Sequence, residues 1–89
     1  MLFAWDQNKA NVNLRKHRVT FEEAVTVFSD PLAFIVTDSS HSDCAILIGE
    51  SIKHRILLVV FIEITDQDIR IISARHATAH ERRRYEEGS

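Results

Sequence analysis

Apolar and polar positions alternate along the chain in a way that divides its first part into a short strand and a helix. The apolar stretch 2–5 predicts the strand, and Asp6 is placed to cap the N-terminus of a helix over 7–17. Within that helix Ala10, Leu14 and His17 fall on one face at the 3.6-residue period. We expect this face to pack against the rest of the protein.

A second helix is predicted from its start and stop signals. Thr20 and Glu23 have capping-box spacing, so that each side chain would bond the backbone N–H of the other. The apolar residues that follow form a stripe at helical spacing, and Asp30-Pro31 ends the helix. The stripe consists of Phe21, Ala24, Val25 and Phe28.

The next block has the character of β-structure and ends in a polar helix. Strands are predicted over 32–37, 44–48, 55–62 and 69–74, with a polar turn at 38–43. The run 56–62 is almost continuously apolar, as expected for a central strand. A last helix over about 79–87 begins at a second capping box, Thr78 to Glu81, and has almost no apolar stripe. It is therefore expected to lie on the surface.

These elements predict one α+β domain covering residues 1–89, in the order βααββββα. Short connections favour an antiparallel sheet of four to five strands, with the two N-terminal helices on one face and the C-terminal helix near the more open face. Hydrophobic residues make up 45% of the 89 positions, which suits a single core. No apolar run is long enough to span a bilayer, and one cysteine, Cys44, excludes an internal disulfide, so we expect a cytoplasmic protein without membrane contact.

Charge is distributed unevenly, although the formal net charge is only −2. Residues 1–20 carry four basic side chains and one acid, whereas residues 21–68 carry nine acids with only Lys53 and Arg55. Residues 69–89 carry five arginines and three glutamates. A basic face forms if the two ends of the chain meet in the fold; otherwise these charges only solvate the surface.

Two blocks of residues resemble the signatures of a known family. The N-terminal block is Phe3-Ala4-Trp5-Asp6-x-x-Lys9-x-x-x-Asn13-Leu14-x-Lys16-His17-x-Val19-x-Phe21-x-Glu23-Ala24. The C-terminal block is Ile69-Arg70-Ile71-Ile72-Ser73-Ala74-Arg75-x-Ala77-Thr78-x-x-Glu81-Arg82-x-x-Tyr85-Glu86. In this order and at this separation they resemble the BrnT-type toxins of bacterial type II toxin–antitoxin systems.

That resemblance implies a compact relative of the RelE toxin fold. It also implies an endoribonuclease that cleaves RNA without a metal or other cofactor and thereby inhibits translation. The implied partner is a ribbon-helix-helix antitoxin, expected in a two-to-two complex that binds operator DNA only through the antitoxin.

Cleavage of RNA through its own 2′-hydroxyl needs a base, an acid and cations for the phosphate. The chain offers His17 and Glu63 for proton transfer and Arg75, at the junction of the last strand and helix, for charge stabilisation. We therefore predict Arg75, His17 and Glu63 as catalytic residues. Each has a structural alternative: Arg75 could pair with Glu81, His17 could pack on Leu14, and Glu63 could be a plain edge carboxylate.

Further basic and aromatic residues are predicted to bind RNA. Arginine suits phosphate because its planar fork donates two hydrogen bonds, and tyrosine can stack on a base. Tyr85 could equally serve to dock the last helix. The two-residue period of a strand places Arg70 and Arg75 on opposite faces unless a bulge intervenes. The predicted RNA-binding residues are Lys16, Arg70, Arg82, Arg83 and Tyr85.

The sequence argues against two other kinds of site and leaves one other function open. His76 and His80 lie four apart, but the cap at Thr78 puts His76 outside the helix, so no metal site is predicted. Cys44 is interpreted as a buried apolar residue.

Two positions depart from the family pattern. Cys44 stands where many family members carry arginine, and the turn after Glu63 lacks their basic residue. The alternative is therefore a catalytically inactive homologue that acts as an antitoxin-binding corepressor.

Overall fold

The computed structural model describes residues 1–37 and 43–88, and within them the chain forms five strands and three helices in the predicted order. The predicted turn at 38–43 lies, except for Asp43, outside the described residues. The elements are β1 (Leu2–Ala4), α1 (Gln7–His17), α2 (Phe21–Val27), β2 (Phe34–Thr37), β3 (Ala45–Glu50), β4 (Ile56–Glu63), β5 (Asp68–His76) and α3 (Ala79–Glu86).

The strands form one mixed sheet in the spatial order β1-β5-β4-β3-β2. Strands β2 to β5 are an antiparallel meander, as their short connections require. Strand β1 pairs parallel with β5, with Phe3 opposite Ile69, so the prediction of an antiparallel sheet is wrong at this edge. Two helices and three strands separate β1 from β5, and a connection of this length permits parallel pairing.

The core lies between the sheet and the two N-terminal helices, which pack on one face as predicted. Phe21, Ala24 and Val27 of α2 are completely buried, and they meet Val59 and Phe61 of the central strand β4. This close packing of large apolar side chains is the main source of stability in a domain of this size. In the described ranges, no helix is both long and apolar enough to cross a membrane.

The two capping boxes differ in a way that bears on function. At Thr78 the box is complete, because Glu81 also bonds back to the cap. At Thr20 the hydroxyl accepts the Glu23 N–H at 3.0 Å, but the Glu23 carboxylate turns to Arg55 and Ser51 instead. The predicted box at Thr20 is thus only half correct, since a distant arginine is the stronger partner for a buried carboxylate.

Helix α1 buries Asn13 rather than the predicted Leu14, which is 44% exposed. The Asn13 side-chain amide donates to the carbonyls of Val19 and Ala74, at 2.9 and 2.8 Å, and accepts the Ala74 N–H at 3.0 Å. Strand β1 pairs with β5 only as far as Arg70. Asn13 therefore replaces a strand partner for the edge of β5 at Ala74, which is why a polar residue is buried there.

A bulge in β5 changes which side chains share a face. Arg75 pairs with Leu58 and Arg70 pairs with Ile62, four residues apart on β4 but five apart on β5. The register shifts at Val60/Phe61 of β4, so β5 carries an extra residue there. Arg70 and Arg75 consequently lie on the same face. The prediction of opposite faces is wrong because a bulge, the exception that it had named, is present between them.

Candidate functional site

Helix α3 lies across the face opposite to α1 and α2 and is held mainly by polar contacts. A row of paired residues, Phe34, Ile48, Leu58 and Arg75, crosses this face of the sheet. The helix contacts both ends of the row: Arg84 lies over the Phe34 ring at 5.2 Å, and Glu81 binds Arg75. Ile48 and Leu58 between them are buried. The next row, which includes Ile46 and Val60, is only half-buried.

The Arg75–Glu81 pair joins the end of β5 to the first turn of α3. The guanidinium donates two hydrogen bonds to the carboxylate, at 2.9 and 3.1 Å, and a third to the His76 carbonyl at 3.0 Å. Arg75 thereby lowers the pKa of Glu81 below its ordinary value, although burial opposes the shift. The geometry realises the structural alternative for Arg75, and its donors hold the helix in place.

Tyr85 anchors the other end of α3. Its hydroxyl donates to Asp30 at 2.6 Å, and the same carboxylate oxygen accepts the Glu50 N–H at 2.8 Å. Burial and the bond to Asp30 raise the pKa of Tyr85 to about 12. Gly49 permits the close approach, because a Cβ there would lie 2.6 Å from Ala33 and 3.0 Å from Asp30. Tyr85 is thus the docking residue that the sequence analysis had allowed for.

A polar cavity of about 540 Å³ opens at the end of the sheet beside α3, and we call it the end cleft. It lies where the β3–β4 turn, the end of β5 and α3 converge. Two histidines and two arginines face it together, which is the combination that proton transfer and phosphate binding require. Its polar lining side chains are Glu50, His54, Arg55, His76, Arg82, Tyr85 and Glu86.

Arg55 lies at the base of the end cleft and is fixed by a buried carboxylate. Glu23, only 3% exposed, accepts from Nε and Nη2 of Arg55 and from the Ser51 hydroxyl. Burial raises the pKa of Glu23, but the hydrogen bonds from Arg55 and Ser51 outweigh it and leave the pKa below its ordinary value. Arg55 also reaches the Arg18 carbonyl at 3.3 Å. Three hydrogen bonds thus hold the Arg55 guanidinium at the base of the cleft.

The two histidines of the end cleft have contrasting partners. Nε2 of His76 lies 3.4 Å from Nη1 of Arg55, a long contact to a group that can only donate. Nδ1 of His54 lies 2.8 Å from the Glu50 carboxylate. His54 also has a left-handed backbone (φ 61°), which is uncommon for a residue other than glycine and is found often at functional sites.

A second cavity, of about 320 Å³, lies between α1 and the edge of β5, and we call it the edge cleft. It is lined by one face of α1, including Lys9, Val12 and Lys16, and by Ile72 and Ser73 at the bulge of β5. His17 also lines it, at the end of α1. In residues 1–37 and 43–88 no three His, Cys, Asp or Glu side chains are grouped closely enough to hold a metal ion.

Comparison with known proteins assigns the chain to a family. The family described as "Ribonuclease toxin, BrnT, of type II toxin-antitoxin system" matches residues 5–81, most of the chain. The chain belongs to the BrnT family. A similar solved structure is the 1.1 Å crystal structure of the Brucella abortus ribonuclease toxin BrnT, with a TM-score of 0.71 and 25% sequence identity. The match covers 88% of this chain and 99% of the Brucella chain. A search of curated proteins gave no match.

In this BrnT-family fold the predicted site residues lie in three places: at α3 and the end cleft, at the edge cleft, and at the far end of β4 and β5. Arg82 and Tyr85 line the end cleft, Arg83 is exposed on α3, and Arg75 holds the helix. Lys16 and His17 line the edge cleft. Glu63 pairs with Ile69, five residues along β4 from the partner of Arg75, or roughly 17 Å at strand spacing. The structure therefore does not bring Glu63 and Arg75 into one site, and Arg70 lies four β4 residues away from Arg75.

Sequence reasoning missed three residues of the end cleft. His76 was considered only as a metal ligand with His80, Arg55 only as a charge in an acidic stretch, and His54 not at all. Their assembly depends on the β3–β4 turn meeting the end of β5, which is a matter of tertiary structure. A partial signal was present, because His76 directly follows Arg75 inside the C-terminal signature.

Proposed function

We propose that this chain is an endoribonuclease toxin that cleaves RNA in its end cleft without a metal ion and so inhibits translation. The observation that carries the proposal is the convergence of His54, His76, Arg55 and Arg82 on one cavity. In such a reaction the 2′-oxygen bonds to the adjacent phosphorus while the bond to the 5′-oxygen breaks. The products are a 2′,3′-cyclic phosphate and a 5′-hydroxyl end.

His76 acts as the base and His54 as the acid. In its neutral form, His76 takes the proton of the 2′-hydroxyl, which displaces the long contact of 3.4 Å to Arg55. In its protonated form, His54, which lies beside Glu50, gives its proton to the departing 5′-oxygen. Each such proton transfer typically contributes about 10²–10⁴ in rate.

Cations offset the charge that develops on the phosphoryl oxygens. Arg82 faces the cleft and Arg83 lies exposed on the same helix, so both are proposed to bind phosphates. Arg75 is proposed as a positioning residue, because it holds α3 through Glu81. Arg70 remains a proposed RNA contact outside the cleft, in keeping with its exposed position on β5. Glu63, predicted as a catalytic residue, lies at the far end of β4 and has no part in the reaction proposed for the end cleft.

The proposed antitoxin is a ribbon-helix-helix protein in a two-to-two complex that binds operator DNA through the antitoxin alone. An acidic segment of this partner would cover the basic surface of α3 or displace the helix, whose anchors are polar. Opposite charges raise the association rate and the selectivity of such a contact. Co-purification with the product of the neighbouring reading frame, followed by light scattering, tests the partner and the stoichiometry.

One observation favours a second candidate, an inactive toxin homologue that serves as an antitoxin-binding corepressor. Arg55 and Arg75 both already bind carboxylates, Glu23 and Glu81, with two donors each. Arginines engaged in this way have fewer donors to offer a phosphate. The absence of arginine at Cys44 points in the same direction.

Cleavage of a defined RNA in EDTA separates the two candidates. Purified parent protein is compared with His76→Ala and with His80→Ala, a matched control on the exposed first turn of α3. We expect cleavage by the parent and the control, a cyclic phosphate end, and at least a hundredfold loss in His76→Ala. Absence of cleavage by folded parent protein, together with DNA binding by its antitoxin complex, would establish the corepressor. Equal cleavage by all three proteins would exclude His76.

A further inference from the structure

Helix α1 presents an unusual charge pattern towards the edge cleft. Residues 7–18 contain four basic side chains, Lys9, Arg15, Lys16 and Arg18, and no acid. Lys9 and Lys16, seven residues apart and so on one face of the helix, both line the cleft. Two lysines on one side of a cavity make a positive rim that suits a polyanion.

The floor of the edge cleft is apolar and is made by irregular backbone. Val12, which is 41% exposed, and Ile72, the residue at which β5 bulges, both line it. On this side of β5 the described strands offer no partner beyond Arg70, and Asn13 takes over only at Ala74. Ile72 and Ser73 therefore lie in a gap between two partners. An apolar floor beneath a cationic rim has the chemistry of a nucleotide subsite, where a base packs on the floor and phosphates meet the lysines.

The edge cleft and the end cleft share no lining residue but are linked through the end of α1. Lys16 and His17 line the edge cleft, and the carbonyl of the next residue, Arg18, accepts from Arg55 of the end cleft. A volume of about 320 Å³ is at the lower limit for small-ligand pockets, so it has room for a nucleoside-sized group but not for a duplex.

We propose that the edge cleft is a second subsite for single-stranded RNA, which holds a nucleotide flanking the bond cleaved in the end cleft. This inference rests on the proposed function and adds where the substrate continues beyond the reacting phosphate. Lys9 and Lys16 bind phosphates, and Val12 with Ile72 supports the base. The proposal gives α1 a role in RNA affinity that is separate from chemistry.

The test measures binding of fluorescein-labelled RNA, a dinucleotide and a decanucleotide, to protein carrying His76→Ala so that the RNA stays intact. Lys9→Ala with Lys16→Ala is compared with Arg15→Ala with Lys53→Ala, which removes the same charge from exposed residues outside both clefts. We expect the first pair to weaken binding of the decanucleotide about tenfold. The slope of log K against log salt should fall in magnitude by about 1.4, or about 0.7 for each lost phosphate contact.

Three outcomes overturn the inference. Equal weakening by both pairs of substitutions would mean that RNA responds only to the overall electrostatic field of the protein. Equal weakening of the dinucleotide and the decanucleotide would place the lysines at the reacting phosphate. Unchanged RNA binding with loss of neutralisation by the antitoxin would assign the edge cleft to that partner. Failure of the proposed function is seen separately, as RNA that binds but is not cleaved by protein with His76 intact.

Discussion

Helices α2 and α3 are similar in length but are held to the sheet by opposite means. Four of the seven α2 residues are buried, and its contacts are mainly apolar. None of the eight α3 residues is buried within the described structure, and its contacts include an ion pair, a hydrogen bond and a cation–π contact. Apolar burial cannot be removed without loss of the fold, whereas polar surface contacts each contribute little. The stability of the fold therefore depends more on α2 than on α3, and α3 carries the arginines that are proposed to bind RNA.

The largest loss of stability is expected from a substitution on the buried face of α2. Phe21→Ala removes a completely buried aromatic ring from the core and should lower the free energy of unfolding by about 3–5 kcal/mol. Urea denaturation followed by Trp5 fluorescence measures it. Arg84→Ala on α3 is the comparison variant, with an expected loss of about 0.5–1 kcal/mol. Equal losses would contradict the division between the two helices.

The next effect concerns the buried carboxylate of α2. Glu23→Gln weakens the contact to Arg55 and should cost about 1–3 kcal/mol near pH 7. Because folding lowers the pKa of Glu23 below its ordinary value of 4.5, its contribution is present above that pH and is lost as the pH falls through the folded value. Denaturation at a series of acidic pH values should thus show a shallower decline in the variant. The same decline in both proteins would exclude Glu23 as a source of the acid sensitivity.

A smaller effect on stability, with a larger effect on function, is expected at Arg75. Arg75→Ala removes the pair with Glu81, which should cost about 1 kcal/mol but free the first turn of α3. We expect faster hydrogen exchange in α3, unchanged exchange in α2, and at least tenfold slower RNA cleavage. Arg75→Lys keeps the charge but not the paired donors, so its exchange and cleavage rates should lie between those of the parent and of Arg75→Ala. Loss of activity with unchanged exchange in α3 would instead give Arg75 a direct role in catalysis.

The Tyr85 hydroxyl is expected to contribute about as little to stability as Arg75. Tyr85→Phe should cost about 0.5–1.5 kcal/mol, since Asp30 keeps its backbone donors. Tyr85 is the single tyrosine of the chain, so its ionisation can be followed by ultraviolet absorbance. Folding raises its pKa to about 12, so its contribution is present below the ordinary value of 10.0 and is lost as the pH rises through 12. A midpoint near 10 in folded protein would contradict the contact with Asp30.

The sequence predicted the elements of this fold better than their arrangement. Caps such as Asp6 and Thr78 are local, and the helices begin at the residues that follow them. The parallel partner of β1 and the bulge at Ile72 depend on pairing between distant segments, which no local pattern encodes. The same reason explains the candidate site. Arg82 was recognised because it lies in a contiguous signature, whereas His54 and His76 meet only when the β3–β4 turn reaches the end of β5.

Two histidines of the end cleft, His54 and His76, are proposed to carry out the proton transfers of RNA cleavage. The most direct measurement is the pH dependence of kcat/KM for the parent, His54→Ala and His76→Ala proteins in EDTA. We expect a bell-shaped profile for the parent protein. His76→Ala, which lacks the base, should lose the acidic limb of the profile, and His54→Ala, which lacks the acid, should lose the alkaline limb. Profiles of unchanged shape in both variants would contradict this proposal.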